Sequence, residues 1–363
     1  MNRKIVSDEL ETLVDDLKTG LEESRKCRVA GVKLERHHRR QSSTIIKCLV
    51  DYSDGASCHV WGKTLHPGGL PGQAAARTQR DFDLHTVLCE AFARYESFNV
   101  PRPVFCSPES RLIVTEHAPG DRLQDRLASG ARILPSSGNT DDLLRSCHLA
   151  GEWLRAFQKA TKDYWPGKSE GLPPPPLRNL ERIARQALEL LSEDLKTSTL
   201  GLGAALREQS VQLLQRSLDE SPEPDWTACA IHGDFFPGNI LVEPNRVTCI
   251  DFTSSTWGDP GVDVGYFIHQ LQTLAVNPFV KTSTTELMIR EFLSGYGHSE
   301  TTADAYWRSS TLARTQRIAL CLARLYALRG KRPKTTFATA KRSYHLLVTN
   351  RTLSDHVLTV ATQ

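Results

Sequence analysis

Residues 231–251 read I-H-G-D-F-F-P-G-N-I-L-V-E-P-N-R-V-T-C-I-D, which sets two aspartates and an asparagine around one predicted β-hairpin. Two short apolar, β-branched runs, Ile240 to Val242 and Val247 to Ile250, flank the turn-forming Glu243-Pro244-Asn245-Arg246. A chain folded back there returns Asp251 beside Asn239. Asp234 lies five residues ahead of Asn239, in a tight loop shaped by Gly233, Pro237 and Gly238. Phosphoryl transfer asks a protein for one or two oxygen ligands to a hard divalent ion and a separate carboxylate to hold the attacking hydroxyl. Asp234 is therefore the candidate catalytic residue, and Asn239 and Asp251 are the candidate Mg²⁺ ligands. Any one of the three, taken alone, reads as a turn or Asx residue; the ordered set carries the chemistry.

The spacing is that of the kinase pattern H-x-D-x-x-x-x-N followed by D-F-x. More narrowly, H-G-D-F-F-P-G-N-I-L, then I-D-F, then Gly258-Asp259-Pro260-Gly261-Val262-Asp263 resembles the aminoglycoside phosphotransferase and choline kinase-like superfamily of small-molecule kinases. The signal is specific over residues 229–270 and weaker over 45–120. The resemblance implies a bilobal protein kinase-like α+β fold, with an antiparallel β-sheet N-lobe over 1–116 and a mainly helical C-lobe over 117–363. It implies ATP as co-substrate with Mg²⁺, a small hydroxylated acceptor, and a hinge at Glu116, His117 and Ala118 whose backbone contacts adenine. It also implies that Asp259 braces the catalytic loop; Glu90 either pairs with the phosphate-binding lysine, as the αC glutamate of kinases does, or is a solvated helix residue.

Those residues need a scaffold. Residues 8–26 read as a leading helix, followed by strands over Cys27 to Leu34, Ser43 to Tyr52 and Ser57 to Leu65, with a tight turn at Asp54-Gly55. A helix over 73–97 precedes a second hairpin made of Val104 to Phe105 and Leu112 to Glu116. The order strand, helix, strand argues an α+β lobe on an antiparallel sheet. Beyond residue 120, Leu143, Cys147, Ala150, Leu154 and Phe157 recur at helical spacing behind Asp141 and Asp142. Two more helices are expected at about 178–196 and 203–219, after the Pro-rich Pro166 to Pro176.

Lys63 is the candidate phosphate-binding lysine, because strand alternation sets it on one face with His59, Trp61 and Leu65, and a half-buried ammonium needs an anion. Lys47, on the preceding strand, is its rival. Trp61 either stacks on a base or narrows the pocket. No G-x-G-x-x-G precedes the strands; the matching tip carries His37-His38-Arg39-Arg40, read as a solvated hairpin end or as a phosphate contact made by charge. Gly233 stands where protein kinases carry the arginine of H-R-D, which argues for a small-molecule kinase without activation-loop control. His232 reads as structural. Gly69 to Gly72 and Gly201 to Gly203 lack a Walker lysine and read as connectors. A catalytically silent kinase-fold nucleotide binder is the competing class.

The bulk numbers fit this picture. At 363 residues the chain exceeds one simple core, and a formal charge of +3 gives no case for nucleic acid. No apolar run is long enough for a membrane span. Nine dispersed cysteines without a C-x-x-C pair read as reduced thiols, and the expected location is the cytoplasm. Between Ala305 and Ser354 there are basic residues and no Asp or Glu, which, if that face lines the acceptor site, favours a neutral or anionic acceptor.

Overall fold

The computed structural model describes residues 3–40, 42–66, 73–130, 140–162, 229–258, 260–275, 280 and 282–297, with a few helical positions between 188 and 215. The helices expected at 178–196 and 203–219, both glycine-rich connectors, Asp259 and the basic segment 305–354 lie outside this description. The chain divides into two compact units, Met1–Asp121 with Leu241–Ser255, and Arg122–Ile240 with Thr256–Gln363.

The first unit is built on a five-stranded antiparallel sheet: β1 (Val29–Arg39), β2 (Ser43–Tyr52), β3 (Ser57–Leu65), β5 (Pro103–Ser107) and β6 (Leu112–Glu116), in the order β1-β2-β3-β6-β5. The α+β class and the antiparallel sheet are those predicted from sequence. Helix α1 (Arg3–Arg25) lays Leu13, Leu17 and Leu21, four residues apart, against Ile46, Cys48, Val60 and Val114 of the sheet. Burying each such side chain stabilises by roughly 1.5–3 kcal/mol. At the Asp54-Gly55 turn, Gly55 has φ +85° and Asp54 Oδ1 accepts the Ala56 N–H at 2.9 Å. Strand β1 runs on to Arg39, past the predicted end at Leu34, because every residue from His37 to Arg39 has a partner on β2.

Helix α2 (Gln73–Phe92) packs on β5 and β6. It stops short of the predicted residue 97, where β4 (Phe98–Asn99) pairs in parallel with β10 (Arg246–Cys249). Strand β9 (Ile240–Glu243) neighbours β10 across a two-residue turn, so the predicted hairpin is present.

After the short β7 (Asp121–Arg122), the second unit is helical where described: α3 (Leu123–Gly130), α4 (Thr140–Ala160), α5 (Gly261–Ala275) and α6 (Thr282–Tyr296), with β8 (Cys229–Ile231) antiparallel to β11 (Thr256–Gly258). Its core is a train of rings: Trp153 stacks on Phe157 and Phe235, Phe235 meets Phe267, and Phe267 stacks on Phe292 at 4.2 Å between centroids. Helices α4 and α6 touch through glycine, since a Cβ on Gly151 would sit 2.1 Å from the Phe292 carbonyl and one on Gly295 2.0 Å from that of His148.

Candidate active site

In the second unit β8 ends at Ile231, and the chain turns at once into the loop that carries Asp234. Two backbone donors fix that turn: His232 N–H and Gly233 N–H reach the two oxygens of Asp263 at 2.7 and 2.9 Å. Asp263 stands in the first turn of α5 and is completely buried. Burial pushes its carboxyl up to about 7, and the Asp234 charge adds to that, against the pull of the two N–H donors. The resemblance assigned this bracing to Asp259, which lies outside the described residues; among the described residues Asp263 makes these bonds. Gly233 has φ +76°, a conformation an arginine at this position would resist. His232 is fully buried, and its Nδ1 accepts the Asp234 N–H at 3.3 Å, a structural use of the ring.

Phe235, the next residue, is buried in the ring train of the second unit, so the loop is pinned from beneath. Pro237–Asn239 forms one 3-10 turn, which brings Asn239 back to Asp234. The Asn239 amide nitrogen donates to the Asp234 carbonyl at 3.0 Å and to Asp234 Oδ2 at 3.1 Å. A carboxylate only accepts, so the nitrogen must face it, and Oδ1 is the amide atom turned elsewhere.

In the first unit β10 delivers Asp251, which adopts the left-handed conformation, φ 72° and ψ 71°, ahead of a 3-10 turn at Phe252–Ser254. A non-glycine residue held there signals a constrained, often functional position. Its Oδ1 receives the Lys63 ammonium and the Thr253 hydroxyl, and Lys63 also donates to Thr253. Lys47, the rival lysine, is engaged elsewhere: Glu35 of β1 binds it at 3.0 Å and His59 at 3.2 Å. Hydrogen bonds from Lys47 and then His59 hold the Glu35 carboxyl below the usual range.

The structure does not bring Glu90 to Lys63. Glu90 is exposed on α2, whereas Asp81, nine residues earlier and therefore half a turn round the helix, is 2% exposed with Oδ2 3.3 Å from the Thr253 hydroxyl. Asp81 shares its face with Arg77 and Arg80, whose guanidinium groups donate to the carbonyls of Thr253 and Ser255, each at 3.1 Å. His85 completes the face, with its ring edge-on to buried Phe252 at 4.8 Å. Sequence reading missed Asp81, Thr253, Arg77 and Arg80; the polar residues at i, i+3 and i+4 on α2 were the available signal.

At the end of β6, Glu116 N–H donates to Arg102 O at 2.8 Å and His117 N–H to His59 O at 3.0 Å, while Ala118 is buried. Trp61 lies on the Lys63 face of β3, and its Nε1 donates to His117 Nδ1 at 3.0 Å. Burial, then the charges of Lys47 and His59, lower the His117 pKa, which keeps Nδ1 an acceptor. Trp257 is half-buried on β11 opposite Ala230.

Asn239 Oδ1 and the Asp251 carboxylate are hard oxygen donors, of which Mg²⁺ takes one or two before completing its shell with phosphate and water. Among the described residues no group of three or more His, Cys, Asp or Glu side chains could hold a metal ion without such help.

A comparison with curated proteins finds no match. Among solved structures the chain is similar to a choline/ethanolamine kinase family protein from Mesorhizobium loti, at 16% identity and a TM-score of 0.53 over 97% of this chain and 100% of that one. It is also similar to an amicoumacin kinase in complex with AMP-PNP, Ca²⁺ and Ami, at 12% identity and a TM-score of 0.53 over 87% and 88%. A glucosamine kinase in complex with glucosamine, ADP and inorganic phosphate aligns at 14% identity and a TM-score of 0.50 over 90% and 94%. At such identities the likeness speaks for the fold, which is protein kinase-like. A profile of the phosphotransferase enzyme family matches residues 66–303, more than half of the 363. The chain belongs to that phosphotransferase family and is a small-molecule kinase.

Proposed function

We propose that this kinase moves the γ-phosphoryl group of ATP, with Mg²⁺, onto a hydroxyl of a small molecule. The observation that carries this reading is the hold on Asp234: its carboxylate is oriented by Asn239 Nδ2, and its loop is tied through two backbone N–H groups to buried Asp263. A carboxylate fixed in that way is suited to orient an acceptor hydroxyl and take its proton. Asn239 Oδ1 and Asp251 would be the protein ligands to Mg²⁺, which would offset charge on the phosphate oxygens. Lys63 supplies a positive point charge to the same polyphosphate, and its present partner Asp251 shows that the side chain already faces an anion. Glu116 N–H is spent on Arg102 and His117 N–H on His59, which leaves the Ala118 N–H as the hinge donor to adenine. The eight described cysteines are free, which fits a reducing cytoplasm. No described helix is long and apolar enough to cross a membrane.

The test is purified protein with ATP and Mg²⁺ against a pooled library of hydroxylated metabolites, scored by mass gain of one phosphoryl group. Asp234→Asn should lower turnover by roughly 10²–10⁴-fold and leave ATP affinity within about threefold. A wild type that binds ATP and never yields ADP or a phosphorylated product is the silent nucleotide binder instead.

A further inference from the structure

Of the His37-His38-Arg39-Arg40 motif, His37 and Arg39 point away from the nucleotide machinery, whereas His38, in register with Ile45 and Lys63, lies on the Lys63 face. Strand pairing sets His37 beside Ile46 and Gly62, and Arg39 beside Thr44 and Thr64, all on the sheet face that α1 covers; Lys63 and Trp61 lie on the other face. On the α1 face the apolar core ends at Ile46 and Gly62, and the next row is polar. Beyond it opens a cavity of about 590 Å³, walled by the early turns of α1, the ends of β1 and β3, and the β5–β6 turn. That volume lies within the range of small-molecule pockets, about 300–1,000 Å³.

Four of its lining side chains are cationic or can become so: His37, Arg39, His66 and Arg111. Only Asp16 among the described lining residues is a carboxylate. Two groups have hydrogen-bonding capacity left over, since buried Arg111 Nε and buried Thr64 Oγ1 have no partner among the described residues. Both atoms lie beneath the cavity wall, where an unsatisfied buried polar group costs about 1–3 kcal/mol, so the packing around the cationic groups is held at a cost. The turn supports the same reading. Arg111 is held at φ +55°, and its carbonyl accepts the Leu65 N–H at 3.1 Å, so the guanidinium is carried on backbone locked to the end of β3. His66 is set in place by a 2.9 Å bond to Thr44 Oγ1.

We infer that this cavity is a second ligand site, separate from the catalytic residues, which binds a small phosphorylated ligand. The phosphate group would meet the guanidinium groups of Arg111 and Arg39, and a hydroxyl elsewhere on the ligand would satisfy Asp16. A phosphate offers more acceptor oxygens than a single carboxylate to this many donors.

Isothermal titration with inorganic phosphate on the full chain tests this. Phosphate can also meet Lys63, so the titration is run in a Lys63→Met background. There binding should persist, and adding Arg111→Met should weaken it by roughly tenfold or more. Arg39→Gln, on the exposed end of an edge strand, should weaken it severalfold without disturbing the fold, and Arg111→Met alone should leave ATP affinity unchanged. The inference is overturned if phosphate binding vanishes with Lys63→Met alone. It also fails if the wild type binds no phosphate, or if Arg111→Met and Arg39→Gln both leave binding as it was. These outcomes are independent of whether the chain turns over ATP.

Discussion

In the second unit the carboxylate of Asp234 is held by an amide nitrogen, on a loop anchored by backbone N–H bonds to Asp263 and by a buried phenylalanine. In the first unit Asp251 is held by mobile ends of side chains, the Lys63 ammonium and the Thr253 hydroxyl, with Asp81 behind. The first arrangement is fixed by the fold: its partners cannot move without unfolding the turn. The second is a part-buried ion pair held by side-chain tips, so it can be re-formed around an incoming anion without unfolding a backbone turn. The contrast suits the proposed division of labour, since a base must be preorganised, while a lysine and a metal ligand must open to admit a charged substrate.

The sharpest way to break this contrast is Asp263→Ala. The buried His232 N–H and the part-buried Gly233 N–H lose their acceptor, so the second unit should lose roughly 2–4 kcal/mol, read as faster hydrogen exchange at residues 231–239 and an earlier urea transition. If exchange there stays as in the wild type, the loop is held by something other than Asp263. Lys63→Met set against Lys47→Met comes next. The first should raise the KM for ATP by about tenfold or more, the second by less than about twofold, because Lys63 reaches the candidate metal ligand Asp251 whereas Lys47 reaches Glu35 of β1. Equal effects would mean that the pairing seen in the first unit does not define the phosphate lysine.

Asp81→Asn against Glu90→Gln is a finer comparison. The Asp81 change should alter ATP affinity about threefold by loosening Thr253, and the Glu90 change should be silent. The smallest effect concerns Trp61. His117 has a depressed pKa, so its neutral ring and the Trp61 bond are present above the ordinary histidine value and are lost as pH falls through the lowered one. Wild type minus Trp61→Phe should show a small fluorescence change in that acid range; a flat difference spectrum would mean the bond does not depend on His117 charge.

Legibility from sequence followed chain distance. The antiparallel sheet, the Asp54-Gly55 turn and the β9–β10 hairpin were readable because each depends on alternation or on two to four adjacent residues. The Asp234–Asn239 contact spans five residues, so the tight loop that makes it could be inferred. Asp81 meets Thr253 across 172 positions, and Asp263 meets His232 across 31; the polar face of α2 hinted at the first, but nothing local named either partner. Glu90 looked suitable because of its residue type, and the rotation of α2 turned it to solvent.

The amino-acid sequence by itself determined the α+β class, the hairpin and the ordered trio Asp234, Asn239 and Asp251, since short-range sterics and hydrophobic periodicity act within a few residues. Only tertiary structure decided which lysine faces Asp251, which helical acid backs it, that Asp263 is tied to the loop, and that His37 and Arg39 face α1. Each of those outcomes is set by helix rotation or strand register, and these are fixed by packing against residues far away in the chain.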